Sequence, residues 1–121
     1  MVKIKNLMVL LLVLFGGLIL SGCKDDDFIE IGILQYLEHN ALSDARRGFI
    51  DELSEAGYVD GENINITLYN PEKNAATMAT QAKNLVRKSD LILAIATPAA
   101  NAVVNEAKEQ SKDVPILFTA V

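Results

Sequence analysis

Phe28-Ile29-Glu30-Ile31-Gly32-Ile33-Leu34-Gln35-Tyr36-Leu37-Glu38-His39-Asn40-Ala41-Leu42-Ser43-Asp44-Ala45-Arg46-Arg47-Gly48-Phe49 decides the fold. It begins as an apolar, β-branched run of strand length and ends as an amphipathic helix. Phe28–Leu34 is continuous rather than alternating, which predicts a strand covered on both faces, as in a parallel sheet. Between strand and helix lies a polar crossing, Gln35 to Ser43, with the only histidine of the chain, His39. In open parallel sheets, ligands bind in the crevice outside the carboxyl ends of the strands. The crossing is therefore the leading candidate for part of a ligand site.

Downstream, Leu42, Ala45, Phe49, Ile50, Leu53 and Ala56 recur at spacings of three and four, predicting a helix from about Asn40 to Ala56. Gly57 follows as its left-handed stop. Gly48 lies inside that helix, and close helix–sheet contact is the expected reason. Asp60-Gly61 reads as a tight bend. Ile64, Ile66 and Leu68 then alternate with Asn65, Thr67 and Tyr69, a half-exposed strand near a sheet edge. Asn74 caps a helix running to about Lys88. Leu91–Ala96 is a third, wholly apolar strand. Thr97 suits an N-cap and Pro98 the first helical position of a helix to Gln110. Val114–Phe118 is the fourth strand.

The order β-α-β-α-β-α-β predicts an α/β fold with a three-layer parallel sheet. Strand order 2-1-3-4 puts a switch-point crevice between the first and third strands. The loops at Tyr36–Ser43 and Ala96–Ala99 wall it, with Thr119–Val121 nearby. Three βα units and a bare fourth strand read as an incomplete lobe, so we expect a truncated reading frame or a fragment of a longer protein.

Upstream, Lys3 and Lys5 precede a 14-residue apolar run, Leu7–Leu20. A bilayer span needs about 20 residues, so residues 1–22 read as a signal peptide. Leu20-Ser21-Gly22-Cys23 contains the only cysteine and resembles a bacterial lipobox, in which the cysteine is lipidated and becomes the new N-terminus. Residues 23–27 are then the lipidated cysteine and a charged tether, and residues 28–121 the partial α/β lobe. Without residues 1–22 the chain has 9 basic and 16 acidic side chains, a net charge of −7. That disfavours nucleic acid and an anionic membrane surface as partners.

One histidine and one cysteine build neither a multi-histidine metal site nor a disulfide. The chain has no G-x-S-x-G, G-x-x-x-x-G-K-[ST] or G-x-G-x-x-G motif. We therefore expect no enzyme, no metal and no cofactor. At the Thr97-Pro98 turn, free amides of a helix N-terminus meet the crevice and attract a carboxylate or phosphate. The same turn equally serves as a plain helix cap. Tyr36 suits stacking on or covering an aromatic ligand, His39 donating a hydrogen bond, and Ser43 a ligand contact or a bond to its own backbone.

Beyond these readings, the run His39-Asn40-Ala41-Leu42-Ser43-Asp44-Ala45-Arg46-Arg47-Gly48-Phe49 resembles the substrate-binding proteins of ABC transporters, tryptophan/tyrosine type. Leu53-x-x-Ala56-Gly57-Tyr58-x-x-Gly61-x-Asn63, Ala96-Thr97-Pro98-Ala99-Ala100 and Pro115-Ile116-Leu117-Phe118-Thr119-Ala120-Val121 continue the resemblance. In that family a proline commonly follows the histidine; here Asn40 stands there. The resemblance implies a periplasmic-binding-protein-like fold of two lobes, of which this chain supplies most of the first. It implies a lipid-anchored, extracytoplasmic protein that captures an amino acid or analogue for an importer's permease and ATPase. The candidate ligand contacts are Tyr36, His39, Ser43, Thr97, Pro98 and Ala99. A lipid-anchored sensor domain, or an envelope enzyme with its catalytic part elsewhere, would use the same fold.

Overall fold

The computed structural model describes residues 27–121. The signal-peptide and Cys23 readings lie outside them. Four parallel strands, β1 (Ile29–Gln35), β2 (Ile64–Tyr69), β3 (Leu91–Ile95) and β4 (Ile116–Thr119), form one sheet in the order β2-β1-β3-β4. The connections carry α1 (Asn40–Glu55), α2 (Ala75–Lys88) and α3 (Thr97–Glu109). The sequence pattern thus gives both the element order and the strand order.

Alternate residues of the central strands face opposite layers. Ile31, Ile33, Leu93 and Ile95 pack with Leu42, Phe49, Ile50 and Leu53 of α1. Leu34, Ile92 and Ala94 pack with Ala82, Leu85 and Val86 of α2 and with Ala99, Ala100 and Val103 of α3. Burying β1 and β3 on both faces is what their unbroken apolar runs require. Gly32 permits the closest approach of α2. A Cβ there would stand 2.9 Å from Leu85 Cδ2 and 2.5 Å from Ser89 Oγ.

Local signals hold at several points. Asn74 accepts the Thr77 amide at 2.9 Å as the N-cap of α2. Gly57 follows α1 with φ 97° and Gly61 turns the chain with φ 84°. Gly48 departs from expectation. It is exposed on α1 with nothing within 4 Å of a built Cβ, so no helix–sheet contact accounts for it. Among the described residues no helix is long and apolar enough to cross a membrane.

Candidate functional site: the carboxyl edge of the sheet

Parallel strands end together, so the three connections and the residues after β4 leave from one edge, and backbone hydrogen bonds lace them there. The Tyr36 amide donates to the Ile95 carbonyl at 3.2 Å, joining the crossing after β1 to the end of β3. The Lys73 amide donates to the Tyr36 carbonyl at 3.1 Å, and the Ala96 amide to the Thr119 carbonyl at 3.0 Å. The predicted walls of the crevice, Tyr36–Ser43 and Ala96–Ala99, are therefore neighbours.

Backbone strain gathers at the same edge. Glu72, Lys73, Ala96 and Ala120 have positive φ and leave the ends of β2, β3 and β4. Ala96 has φ 84° and ψ 153°, a region occupied almost solely by glycine. Its amide is fixed by Thr119 and its carbonyl accepts the Ala100 amide at 3.1 Å. The helix therefore starts one residue earlier than expected. Ala96, not Thr97, is the N-cap of α3, with no side-chain cap bond, and Pro98 stands at the second helical position rather than the first. The Thr97 side chain is exposed and is not needed as the cap. Pro98 has no N–H and Ala100 is engaged by Ala96, which leaves the Thr97 and Ala99 amides as the first-turn donors outside the helix ladder.

His39 is the N-cap of α1. Its Nδ1 accepts the Ala41 amide at 3.2 Å, so the neutral ring carries its proton on Nε2 and can donate from there. Tyr36 is half-buried against the core beneath α2 and α3. Ser43 is buried and its hydroxyl is engaged in a network that sequence reading does not find.

That network starts at Gln35, a fully buried amide at the end of β1. Gln35 Nε2 donates to the Leu37 carbonyl at 2.9 Å and to Ser43 Oγ at 3.1 Å, and Gln35 Oε1 accepts from Arg46 at 2.8 Å. Ser43 Oγ donates to Glu38 Oε1 at 2.7 Å, and Asn70 Nδ2 donates to Glu38 Oε2 at 3.0 Å. The Glu38 amide donates to Glu72 Oε1 at 3.1 Å. Side chains from β1, α1 and the β2–α2 loop are thus tied to one carboxylate. The Ser43 hydroxyl, and then Arg46 and Asn70, hold the Glu38 carboxyl below its ordinary pKa, against opposition from desolvation. A depressed carboxyl contributes stability above its unfolded pKa and loses it as pH falls through the folded one. The network therefore holds at neutral pH and loosens in acid. The one signal for it in the sequence is Gln35, a polar residue closing an apolar strand.

Among the described residues no cluster of three or more His, Cys, Asp or Glu side chains has the geometry of a metal site. The edge presents neutral donors: the Thr97 amide and hydroxyl and His39 Nε2, while Ala99 is fully buried behind them. Such a set suits an anionic group and carries no nucleophile–base pair.

The family described as ABC transporter substrate binding protein matches residues 30–121. The chain belongs to that family. A tyrosine-binding protein of Clostridioides difficile (strain R20291) is 36% identical over 138 residues, taking in 100% of this chain and 39% of the relative. The chain thus spans about two fifths of that relative's length. A ligand-free, open structure of a substrate-binding protein with adhesive properties from Clostridium difficile is 42% identical with a TM-score of 0.68, over 74% of this chain and 30% of that one. An ABC domain from Streptococcus pneumonia in complex with L-Trp is 35% identical with a TM-score of 0.67, over 75% and 30%. The fold is that of part of a substrate-binding lobe, and these relatives are binding proteins rather than enzymes.

Proposed function

We propose that this chain forms the first lobe of an extracytoplasmic, lipid-anchored protein that captures an amino acid, aromatic ones foremost, for an ABC importer. The observation that carries the reading is the first turn of α3. Strained Ala96 sets the turn, the Thr97 and Ala99 amides are free of the helix ladder, and the Thr97 hydroxyl is not used as a cap. A helix N-terminus with free amides stabilises a carboxylate without a charged side chain. The tyrosine-binding relative and the relative holding L-Trp support an aromatic amino acid as the ligand class.

In this reading the ligand carboxylate sits on the Thr97 amide and hydroxyl, with Pro98 fixing the turn and Ala99 seating it from behind. His39 donates from Nε2, and Tyr36 contributes an aromatic surface. Ser43 acts through Glu38, which holds the crossing in place. The edge is a single wall, and a second lobe closes on the ligand from the other side. Binding and closure are the whole mechanism, and the closed form is what the permease and its ATPase engage.

Calorimetry on a form extended through the second lobe tests the site. Tyrosine, tryptophan or phenylalanine should bind, and Thr97→Val should weaken binding by about 1.5–3 kcal/mol, the value of one hydrogen bond to a charged group. Unchanged affinity in Thr97→Val rules out the hydroxyl contact. The anchor rests on Leu20-Ser21-Gly22-Cys23 behind a short apolar run. Labelling of cells with a fatty-acid analogue should mark the wild type and not Cys23→Ala; equal labelling of both refutes lipidation at Cys23.

A further inference from the structure

The outer flank of α2, beside the end of β2, plays no part in the amino-acid reading. Here a groove of about 460 Å³ runs between the helix and Tyr69 of the edge strand β2, lined by Thr80, Gln81, Lys83, Asn84 and Arg87. Its hydrogen bonds have a direction. Arg87 donates to Asn84 Oδ1 at 3.0 Å, and Asn84 Nδ2 donates to the Tyr69 hydroxyl oxygen at 2.5 Å. Tyr69 is thereby an acceptor from Asn84, and its own O–H is left to donate. Lys83 and the remaining guanidinium N–H groups of Arg87 add cationic donors. One group has the opposite need: Gln81 Oε1 is buried and has no hydrogen-bond partner. A buried acceptor left unpaired is costly, so an occupant with a donor is favoured there.

Charge is segregated in the same sense. Helix α2 carries Lys83, Arg87 and Lys88 and no acidic side chain, with Glu72 and Asp90 beyond its two ends. Residues 51–62 carry Asp51, Glu52, Glu55, Asp60 and Glu62 and no basic one. In a chain of net charge −5 this leaves α2 as a local cationic face. Arg and Lys recognise carboxylates, Arg in a fork oriented here by Asn84.

We propose that this groove binds an extended acidic peptide segment of a partner protein. Side-chain carboxylates meet Lys83, Arg87 and the Tyr69 O–H, and a backbone N–H of the peptide satisfies Gln81 Oε1. An acidic peptide supplies both chemistries together. Inorganic phosphate supplies the anion without an amide N–H, and a neutral peptide the N–H without the anion.

The test is an NMR titration of the full chain, labelled with nitrogen-15, with acetyl-Glu-Glu-amide at low salt. Inorganic phosphate, acetyl-Gln-Gln-amide and phosphatidylglycerol vesicles form parallel arms. The acidic peptide should give saturable shifts at Tyr69, Gln81, Asn84 and Arg87, and bind at least about tenfold more tightly than phosphate or the neutral peptide. Arg87→Gln should weaken it by about tenfold at an exposed position that the fold does not need. Tyr69→Phe should weaken it less while keeping the ring. Equal binding of phosphate, equal binding of the neutral peptide, or shifts scattered over the surface without saturation would each overturn the proposal. So would Arg87-dependent binding to vesicles in place of the peptide. None of these outcomes touches the amino-acid site, which Thr97→Val reports separately.

Discussion

The sheet meets solvent at two edges that are built differently. At β2 the preceding turn folds back along the strand. The Gly61 amide donates to the Ile64 carbonyl at 2.9 Å, and the Ile66 amide donates to Asp60 Oδ1 at 2.8 Å. Part of the outer row of peptide groups is thereby satisfied by the chain itself, and polar Asn65 and Thr67 alternate with apolar neighbours. At β4, Leu117 and Phe118 point to opposite faces and remain 48% and 58% exposed. Proteins usually blunt free edges with charge, short strands or cover. The β2 edge is finished in that sense. The β4 edge is apolar on both faces and carries no charged side chain.

The contrast can be broken most forcibly at β4. Residues 24–121 should self-associate through this edge, and Leu117→Lys with Phe118→Lys should weaken that association by more than about tenfold, because two apolar side chains leave the contact. Stability should stay within about 0.5 kcal/mol, since both positions are exposed. Sedimentation across a concentration series reads the first effect and urea unfolding the second. An unchanged association state would mean that β4 is not the sticky edge. Extension through a second lobe should remove the association without any substitution.

A smaller effect sharpens the other side. Asp60→Ala removes the acceptor from the Ile66 amide and should cost about 1 kcal/mol, read as a lower urea midpoint with an unchanged slope. The same variant should acquire some association at β2. No loss of stability would show that the turn, rather than the carboxylate, protects that edge.

Most of the architecture was legible because it rests on local pattern. The unbroken runs of β1 and β3 identified strands buried on both faces, the alternation in Ile64–Tyr69 identified an edge strand, and Asn74 and Gly57 marked helix ends. The details of the site were less legible because they rest on tertiary contacts. Thr97-Pro98 looks like a cap and first turn in isolation. The hydrogen bond from Ala96 to Thr119, a residue of another strand, instead moves the cap to a residue with no capping side chain. Ser43 reads as a free hydroxyl until Gln35, Glu38 and Arg46 close around it. Gly48 misleads in the other direction: a helical glycine suggests close packing, and this one faces open space.

The measurement that tests the functional reading most directly removes the ligand's carboxylate rather than a protein group. A form extended through the second lobe is titrated with tyrosine and with tyramine, which keeps the ring and the amine and lacks the carboxylate. If the Thr97 amide and hydroxyl hold that carboxylate, tyrosine binds and tyramine binds at least about a hundredfold more weakly, the loss of two charge-assisted hydrogen bonds at the low end of their range. Equal affinity for the two would contradict a carboxylate site at the first turn of α3.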